Sequence, residues 1–403
     1  MTQDPARHPS IGEEPATPAG LPTRLKVMTI LGTRPEIIRL SRVMAALDRY
    51  CEHLILHTGQ NYDFELNEIF FHDLSIRPPD HHLGVAASTV GQQIGNILIQ
   101  SEQVLLRERP DAVLILGDTN SALAAIVAKR LRIPIYHMEA GNRCFDLNVP
   151  EETNRRIVDH LADFNLVYTE HARRHLIAEG LPQRRIYLTG SPIREVLCHY
   201  HARIEASTIL DQLSLAPGGY FLVSAHREEN VDNPDHLRQI LRAMQSLADT
   251  RGMPVLVSTH PRTRKRLEDQ GINTEADSRL RFMKPFGFFD YNKLQLHAFC
   301  TLSDSGTIAE ESAILGFPAV TIRTAMERPE ALDTGSIVIT GLDEAVIINA
   351  VTMVADEHRD GLLPPVPADY DIQNVSQRVV RLILGTAKLS NRWHGITTPP
   401  KTR

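Results

Sequence analysis

Short apolar runs alternate with amphipathic stretches along most of the chain. Residues 25–31 read LKVMTIL, a run typical of a strand buried on both faces, and residues 35–50 then repeat apolar positions at helical spacing. The same alternation predicts strands at 53–58, 112–116, 135–138, 166–169 and 185–189, with helices at 91–109, 121–132, 151–162 and 171–179. Buried strands that alternate with helices indicate a parallel sheet covered on both faces.

The pattern pauses at 205–219, where LAPGG forms a turn cluster, and then begins again. It predicts strands at 220–224, 254–258, 280–283, 300–303 and 319–322, with helices at 234–249, 262–270, 290–299 and 307–315. We therefore predict an α/β fold of two doubly wound parallel-sheet domains, residues 25–200 and 201–373. Ligands of such sheets bind beyond the carboxyl ends of the strands, so the active site is expected in the cleft between the domains.

Charge and composition exclude several classes of protein. Lysine and arginine number 43 against 49 aspartate and glutamate, a net charge of −6, which offers no broad cationic surface for nucleic acid or anionic lipid. No segment approaches the roughly 20 apolar residues of a membrane helix. Residues 1–24 lack the apolar region of a secretory signal and are predicted to be a disordered leader, and residues 389–403 a loose tail. We expect a cytoplasmic enzyme.

The four cysteines, Cys51, Cys144, Cys198 and Cys300, are too far apart for a zinc ribbon or a small disulfide scaffold. We expect them to be reduced and partly buried. The HxE sequence at 137–139 lacks the PCxxC half of a zinc deaminase signature, so no metal site is predicted.

Two strand-to-helix junctions have the features of anion sites. Arg34 follows the first strand, and Pro35 suits the first turn of the next helix, whose free N–H groups would bind a phosphate with help from Arg39. Ser305 and Gly306 stand at the corresponding place in the second domain. The alternatives are a plain turn with two surface arginines and an ordinary N-cap. Two such junctions facing one cleft favour a diphosphate-linked substrate.

Carboxylates and histidines occupy the same edge of the predicted sheets. Asp118 and Glu139 follow adjacent strands and could act as general acid and base if their pKa values are pushed apart. Glu151 and its neighbour Glu152 open a helix, where negative charge is favourable in any case. His226 could contact a phosphate or move a proton, or be a satisfied structural residue, and His260 presents the same choice.

Read together, these segments resemble the non-hydrolysing UDP-N-acetylglucosamine 2-epimerase family. The motifs run in family order across residues 25–385: GTRPEIIRL (32–40), GDTNS (117–121), HMEAGNR (137–143), PEETNRR (150–156), TGSP (189–192), AHREEN (225–230), THP (259–261), SDSGTIAEES (303–312) and ERPEAL (327–332). The resemblance implies two Rossmann-like domains arranged as in GT-B glycosyltransferases, a homodimer, and a terminal helix at 374–388 that crosses back to the first domain. It implies no cofactor and no metal.

The resemblance also implies a reaction and a set of site residues. A UDP-linked 2-acetamido sugar would be epimerised at C2 by elimination of UDP to a glycal and re-addition. Asp118, Glu139, Glu151 and His226 match the catalytic positions. The nucleotide would be bound by Arg34, Arg39, Ser305 and Gly306 at the diphosphate, by Glu311 at the ribose, by Tyr291 at the uracil, and by Arg328 in support.

Departures from the common pattern bear on the substrate. Arg39 stands where common members have lysine, the loop NRCFDLNV is short, and GQNYDFELN (59–67) only partly matches the glutamine-rich activating segment. HTGQNYD, EAGNRCFD and KPFGFFDYN (284–292) instead resemble the branch that makes UDP-N-acetyl-L-fucosamine from UDP-2-acetamido-2,6-dideoxy-L-talose for capsule or O-antigen. UDP-GlcNAc is the alternative substrate, and a GT-B glycosyltransferase, a hydrolysing epimerase and a non-catalytic nucleotide-sugar sensor are the alternative functions.

Overall fold

The computed structural model describes residues 24–59 and 70–396. The predicted leader apart from Arg24, most of the segment 59–67 and residues 397–403 of the predicted tail lie outside this range. Within it the chain forms two parallel sheets, one after the other along the sequence, as predicted.

The first sheet has seven parallel strands in the order β3-β2-β1-β4-β5-β6-β7. They are β1 (Lys26–Leu31), β2 (Glu52–His57), β3 (His81–His82), β4 (Ala112–Leu116), β5 (Ile135–Ala140), β6 (Phe164–Val167) and β7 (Ile186–Leu188). The strand order reverses between β1 and β4, which opens a crevice at their carboxyl ends.

The second sheet has six parallel strands in the order β10-β9-β8-β11-β12-β13. They are β8 (Phe221–Ser224), β9 (Val255–Ser258), β10 (Leu280–Met283), β11 (Cys300–Ser303), β12 (Ala319–Thr321) and β13 (Val338–Ile339). Here the reversal lies between β8 and β11, so each half of the molecule has the doubly wound topology of a nucleotide-binding fold.

Helices cover both faces of each sheet. The α-helices are Arg34–Tyr50, Val90–Glu108, Ala125–Arg130, Pro150–Leu161, Glu170–Ala178, Ile193–Glu205, Ile209–Gln212, Glu228–Val231, Pro234–Arg251, Pro261–Asp269, Phe288–His297, Ile308–Leu315, Pro329–Asp333, Glu344–Arg359 and Val375–Trp393, and short 3-10 turns occupy Asn120–Ala124, Gln183–Arg185 and Ala368–Tyr370. All five residues of β4 are buried, as expected for a strand packed on both sides.

The observed elements differ from the predicted ones where local pattern is weak. The predicted helix 121–132 is divided into a 3-10 turn and a shorter α-helix that ends at Arg130. The pattern missed Ile193–Glu205 and Glu344–Arg359, and it missed β3 and β13, which have two residues each. A strand of two residues is too short to show an alternation of apolar and polar positions.

The last helix, Val375–Trp393, packs against Arg34–Tyr50 of the first half, and its apolar residues join the core of the first sheet. It extends beyond the predicted end at 388 because its last turn is also packed: Ser390 is buried, and the Trp393 ring lies 6.3 Å from that of Phe164. No helix in the described part of the chain is long and apolar enough to cross a membrane.

Candidate active site

Two adjoining cavities lie between the carboxyl ends of the two sheets, and together they are lined by all eleven predicted site residues. The nucleotide-side cavity, of about 430 Å³, is lined by Arg34, Tyr291 and Glu311 among others. The acidic cavity, of about 340 Å³, is lined by Asp118, Glu139, Glu151, Gly306 and Arg328 among others. Both linings include Arg39, His226 and Ser305, so the cavities form one continuous cleft.

The turn after β1 forms one wall of the cleft. A Cβ at Gly32 would lie 2.1 Å from Thr58 Oγ1 and 2.2 Å from Ser121 Oγ, so only glycine fits there. Glu36 folds back over the turn and accepts hydrogen bonds from the Gly32 N–H at 3.1 Å and the Thr33 hydroxyl at 2.7 Å. Burial raises the pKa of Glu36 to about 7 although these hydrogen bonds oppose the shift. The first turn of the helix is thereby fixed at the cavity.

Two arginines and two glutamates form a buried ring across the cleft. Arg39, from the first half, lies 3.4 Å from Glu139 Oε2 and 2.7 Å from Glu310 Oε2. Arg328, from the second half, lies 2.6 Å from Glu139 Oε1 and 3.3 Å from Glu310 Oε1. Each glutamate therefore contacts both arginines, and the predicted nucleotide residues Arg39 and Arg328 also orient the predicted catalytic residue Glu139.

The backbone of Glu139 has a left-handed φ of +65°, at an irregularity where β5 pairs with β6. Such a conformation costs a residue with a side chain about 1–3 kcal/mol. Burial would raise the pKa of Glu139, but the charges of Arg39 and Arg328 outweigh it and lower the pKa below its usual value. The strained turn presents a charged carboxylate to the acidic cavity.

The pKa of Asp118 is displaced in the opposite direction from that of Glu139. Burial raises its pKa above the usual value, and Glu139 and Glu327 add to the shift, although the Arg155 guanidinium, 2.6 Å away, opposes it. Arg155 also reaches across the cleft to Glu327 Oε1 at 3.4 Å. Two carboxyls in one cavity thus have pKa values displaced in opposite directions, an arrangement suited to a proton donor and a proton acceptor.

The other two predicted catalytic residues also face the acidic cavity. Glu151 stands at the start of Pro150–Leu161, whereas the neighbouring Glu152 is buried and accepts hydrogen bonds from Cys144 N, Arg155 and Arg156. The His226 Nδ1 atom lies 3.2 Å from Asp304 Oδ1, and Asp304 also accepts the backbone N–H of His226. Asp304 therefore fixes the orientation of His226.

The nucleotide-side cavity is partly aromatic. Phe286, Phe288 and Tyr291 contribute to its lining. Burial raises the pKa of Tyr291, and the nearby Glu311 carboxylate adds to the shift. Glu311 Oε2 accepts a hydrogen bond from Gln295 at 2.7 Å, and Glu311 is part of the same lining. The N-terminal ends of Arg34–Tyr50 and Ile308–Leu315 both line this cavity, where their backbone N–H groups favour an anion.

The charged residues at the cleft to which the sequence prediction gives no role include Arg155, Asp304, Glu310 and Glu327. All four lie inside the recognised motifs, so their position in PEETNRR, SDSGTIAEES and ERPEAL was the available signal. Their partners are distant in sequence, so no local pattern predicts these contacts. Within residues 24–59 and 70–396, no group of His, Cys, Asp or Glu side chains is arranged to hold a metal ion.

The fold and the site together define a GT-B-like α/β enzyme, with an arginine-rich and acidic cleft between two parallel-sheet domains. Comparison with known proteins narrows this class. The sequence profile of the UDP-N-acetylglucosamine 2-epimerase family matches residues 45–384. The UDP-N-acetylglucosamine 2-epimerase of Methanocaldococcus jannaschii is 34% identical over 372 residues, covering 89% of this chain and 99% of that protein. The chain therefore belongs to the non-hydrolysing UDP-N-acetylglucosamine 2-epimerase family, whose members are isomerases.

Solved structures of relatives have the same fold. The UDP-N-acetylglucosamine 2-epimerase of Rickettsia bellii is 47% identical, with a TM-score of 0.86, and covers 92% of this chain and 100% of its own. The Methanocaldococcus jannaschii enzyme in complex with UDP-GlcNAc and UDP is 34% identical, with a TM-score of 0.83 over 89% of this chain and 99% of its own. A UDP-2,3-diacetamido-2,3-dideoxy-D-glucuronate 2-epimerase of Pseudomonas aeruginosa is 34% identical over 331 residues, 81% of this chain and 91% of that protein.

Proposed function

We propose that the protein interconverts the C2 epimers of a UDP-linked 2-acetamido sugar by eliminating UDP and adding it back. The observation that carries the proposal is the pair Asp118 and Glu139, two carboxyls with oppositely displaced pKa values in a cavity continuous with a nucleotide-sized one. The family membership supports the same reaction.

The chemistry requires both parts of the cleft. The C2 hydrogen has no adjacent carbonyl and is barely acidic, so the anomeric C–O bond breaks before or together with its removal. The bonding electrons leave with UDP, a carboxylate takes the C2 proton, and a 2-acetamidoglycal remains. Protonation of the opposite face of C2 and return of UDP to C1 give the epimer. Because both fragments stay bound, re-addition is effectively unimolecular.

Each part of the cleft has a distinct task in this scheme. The charge that develops on UDP is stabilised by the two helix N-termini, by Arg34 and by the cradle at Ser305 and Gly306. Tyr291 packs on the uracil, and Glu311 binds the ribose hydroxyls. Asp118, Glu139 and Glu151 exchange the C2 protons, and His226, oriented by Asp304, contacts the diphosphate or moves a proton. Arg39 and Arg328 hold Glu139 in place.

For the sugar, we propose UDP-2-acetamido-2,6-dideoxy-L-talose, converted to UDP-N-acetyl-L-fucosamine for capsule or O-antigen synthesis by a homodimer. The support comes from the motifs EAGNRCFD and KPFGFFDYN, and six residues of the latter, including Phe286 and Tyr291, line the nucleotide-side cavity. UDP-GlcNAc is the second candidate, because relatives such as those of Methanocaldococcus jannaschii and Rickettsia bellii are named as UDP-N-acetylglucosamine 2-epimerases.

The reaction is tested by incubating the protein with both UDP-sugars, side by side, in D₂O. We expect deuterium at C2 of the epimerised product, with UDP still attached, and faster turnover of the 6-deoxy-L-talo sugar. Product without deuterium would refute the elimination. Accumulation of free sugar would identify a hydrolysing enzyme, and binding without any turnover would identify a sensor.

The site is tested by the amide variants Asp118→Asn, Glu139→Gln and Glu151→Gln. Loss of a general acid or base lowers turnover by about 10²–10⁴-fold. UDP affinity, measured by calorimetry, should change little, because these carboxylates line the acidic rather than the nucleotide-side cavity. Full activity in all three variants would remove the site from consideration.

A further inference from the structure

A buried group of three side chains, Asp159, His137 and Arg143, lies behind the acidic cavity. All three are at most 1% exposed, and none of them lines either cavity of the cleft. The Asp159 carboxylate is their centre, with Arg143 Nη1 at 2.7 Å and His137 Nδ1 at 2.9 Å. Burying an ionised carboxylate is costly unless it is paired and hydrogen-bonded. The contacts from Arg143 and His137 meet that condition, so the three side chains form one buried unit.

The group is connected to the backbone on both sides of Glu139. The His137 residue precedes Glu139 by two positions in β5, and the N–H of Gly141, two positions after it, donates to both oxygens of Asp159 at 3.2 Å. Gly141 has a φ of +79°, and a Cβ there would lie 2.4 Å from the carbonyl oxygen of Ala172. The left-handed backbone of Glu139 is thus flanked on both sides by residues that contact the Asp159 carboxylate.

The same group reaches the other proposed proton-transfer residues. His137 Nε2 donates to the carbonyl oxygen of Gly117, at 2.7 Å, and Gly117 directly precedes Asp118. Asp159 itself belongs to Pro150–Leu161, the helix that begins beside Glu151. Arg143 extends the group outward through two hydrogen bonds to Glu179, at 2.8 and 2.7 Å. One buried carboxylate therefore links the backbone segments that carry Asp118, Glu139 and Glu151.

We propose that Asp159, together with His137 and Arg143, is a positioning residue that holds the strained Glu139 backbone and sets Glu139 against Asp118. A left-handed residue with a side chain persists only where the surroundings over-determine it, and Asp159 supplies that constraint from behind. Without it, Glu139 relaxes toward extended backbone and its carboxylate leaves the position between Arg39 and Arg328. The inference rests on the proposed function of Glu139.

The test is Asp159→Asn in the full-length chain, with Asp163→Asn as the matched control. Asp163 is also buried, also accepts a backbone N–H of β5, from Ile135 at 3.0 Å, and also has a cationic partner, Lys129. It lies at the opposite end of that strand, away from the cleft. Asp159→Asn removes the negative charge and one of the two acceptor oxygens that face Arg143, His137 and the Gly141 N–H, so these contacts are weakened together.

We expect Asp159→Asn to lower kcat by about 10–100-fold while the KM for the UDP-sugar and the Kd for UDP stay within about threefold. Asp163→Asn should keep kcat within about twofold of the unaltered protein, even if its melting temperature falls as far as that of Asp159→Asn. His137→Gln, which can donate to Gly117 or to Asp159 but not to both, should lower kcat in the same direction, and it decides the question if Asp159→Asn does not fold.

Two results would overturn the inference. One is unaltered kcat in folded Asp159→Asn or His137→Gln. The other is equal loss of kcat in Asp163→Asn, which would make the effect one of general stability. Glu139→Gln, measured in the same series, separates this inference from the proposed function. If Glu139→Gln is fully active, the role of Glu139 fails. If it is inactive and Asp159→Asn is not, only the positioning role fails.

Discussion

Arg39 Nη2 donates a hydrogen bond to Glu310 Oε2 at 2.7 Å, and this contact joins a helix of the first half to a helix of the second. Both side chains are at most 4% exposed. Together with Arg328 and Glu139, they make a ring in which every charge has two partners of opposite sign. The two halves are therefore joined by ion pairs that are largely shielded from water.

Removing one charge from this ring should destabilise the protein strongly. Glu310→Gln leaves two buried arginines with a single carboxylate, and breaking a buried pair costs about 3–5 kcal/mol of the free energy of unfolding. The matched control is Glu205→Gln, because Glu205 pairs with Lys293 at 2.9 Å but is 46% exposed, and exposed pairs contribute at most about 1 kcal/mol. Urea denaturation measures both. Similar small losses in the two variants would contradict the prediction.

Glu36 should make stability depend on pH. Its pKa is raised from an ordinary 4.5 to about 7, so the folded state binds this proton more tightly than the unfolded state. Stability from this group is fully present below pH 4.5 and is lost as the pH rises to about 7, an effect of about 3 kcal/mol.

The measurement is the free energy of unfolding of the unaltered protein minus that of Glu36→Gln, at several pH values. Subtraction is needed because His57, whose pKa burial lowers to about 4, gives stability that rises with pH over part of the same range. The difference should decline between pH 4.5 and 7. A flat difference for Glu36→Gln would show that its carboxyl titrates alike in both states.

Glu311 should discriminate between ribose and deoxyribose. If its carboxylate binds the ribose hydroxyls, UDP should bind about tenfold more tightly than 2′-deoxy-UDP, the value of one hydrogen bond to a charged group. Glu311→Ala should reduce this ratio to about one. This ratio needs no separate control variant, because a general loss of affinity weakens the binding of both nucleotides equally and leaves the ratio unchanged. A ratio that survives the substitution would place the ribose elsewhere.

Thiol labelling should distinguish one cysteine from the other three. Cys198 is exposed, whereas Cys51, Cys144 and Cys300 are buried, and burial raises the pKa of each of these three thiols, to about 11 for Cys51. In the native protein a thiol-specific reagent should modify Cys198 rapidly and the others only on unfolding. Cys198→Ser should remove the rapid phase, and a rapid phase that remains would mean that one of the buried thiols becomes accessible.

The parallel-sheet fold could be predicted because its strands are local signals. The predicted strands 112–116, 280–283 and 300–303 coincide with β4, β10 and β11. The signal is clearest for β4, which reads AVLIL, because an unbroken apolar run between helices has few other solutions. Motif order also identified the family, which the comparisons confirm. Ile193–Glu205 was missed because its sequence, IREVLCHYHARIE, mixes charged and histidine residues with a short apolar stripe.

The arrangement within the site could be predicted only in part. The motifs named eleven residues that the structure brings to one cleft, because their segments lie at or after the carboxyl ends of strands on the same edge of each sheet. The pairing of Arg39 with Glu310 spans 271 positions, and nothing in either segment signals the other. The left-handed backbone of Glu139 was equally hidden, because an acidic residue in a strand pattern normally indicates extended backbone.

The position of Val375–Trp393 determines how this protein can be divided. This helix packs on Arg34–Tyr50, so the core of the first half is assembled from the two extremes of the described chain. A fragment that stopped after Glu205 would expose the apolar surface on which Val379 and Ile383 rest. Exchange of the first half with that of a relative should therefore transfer the last helix together with it, as two separate pieces of sequence.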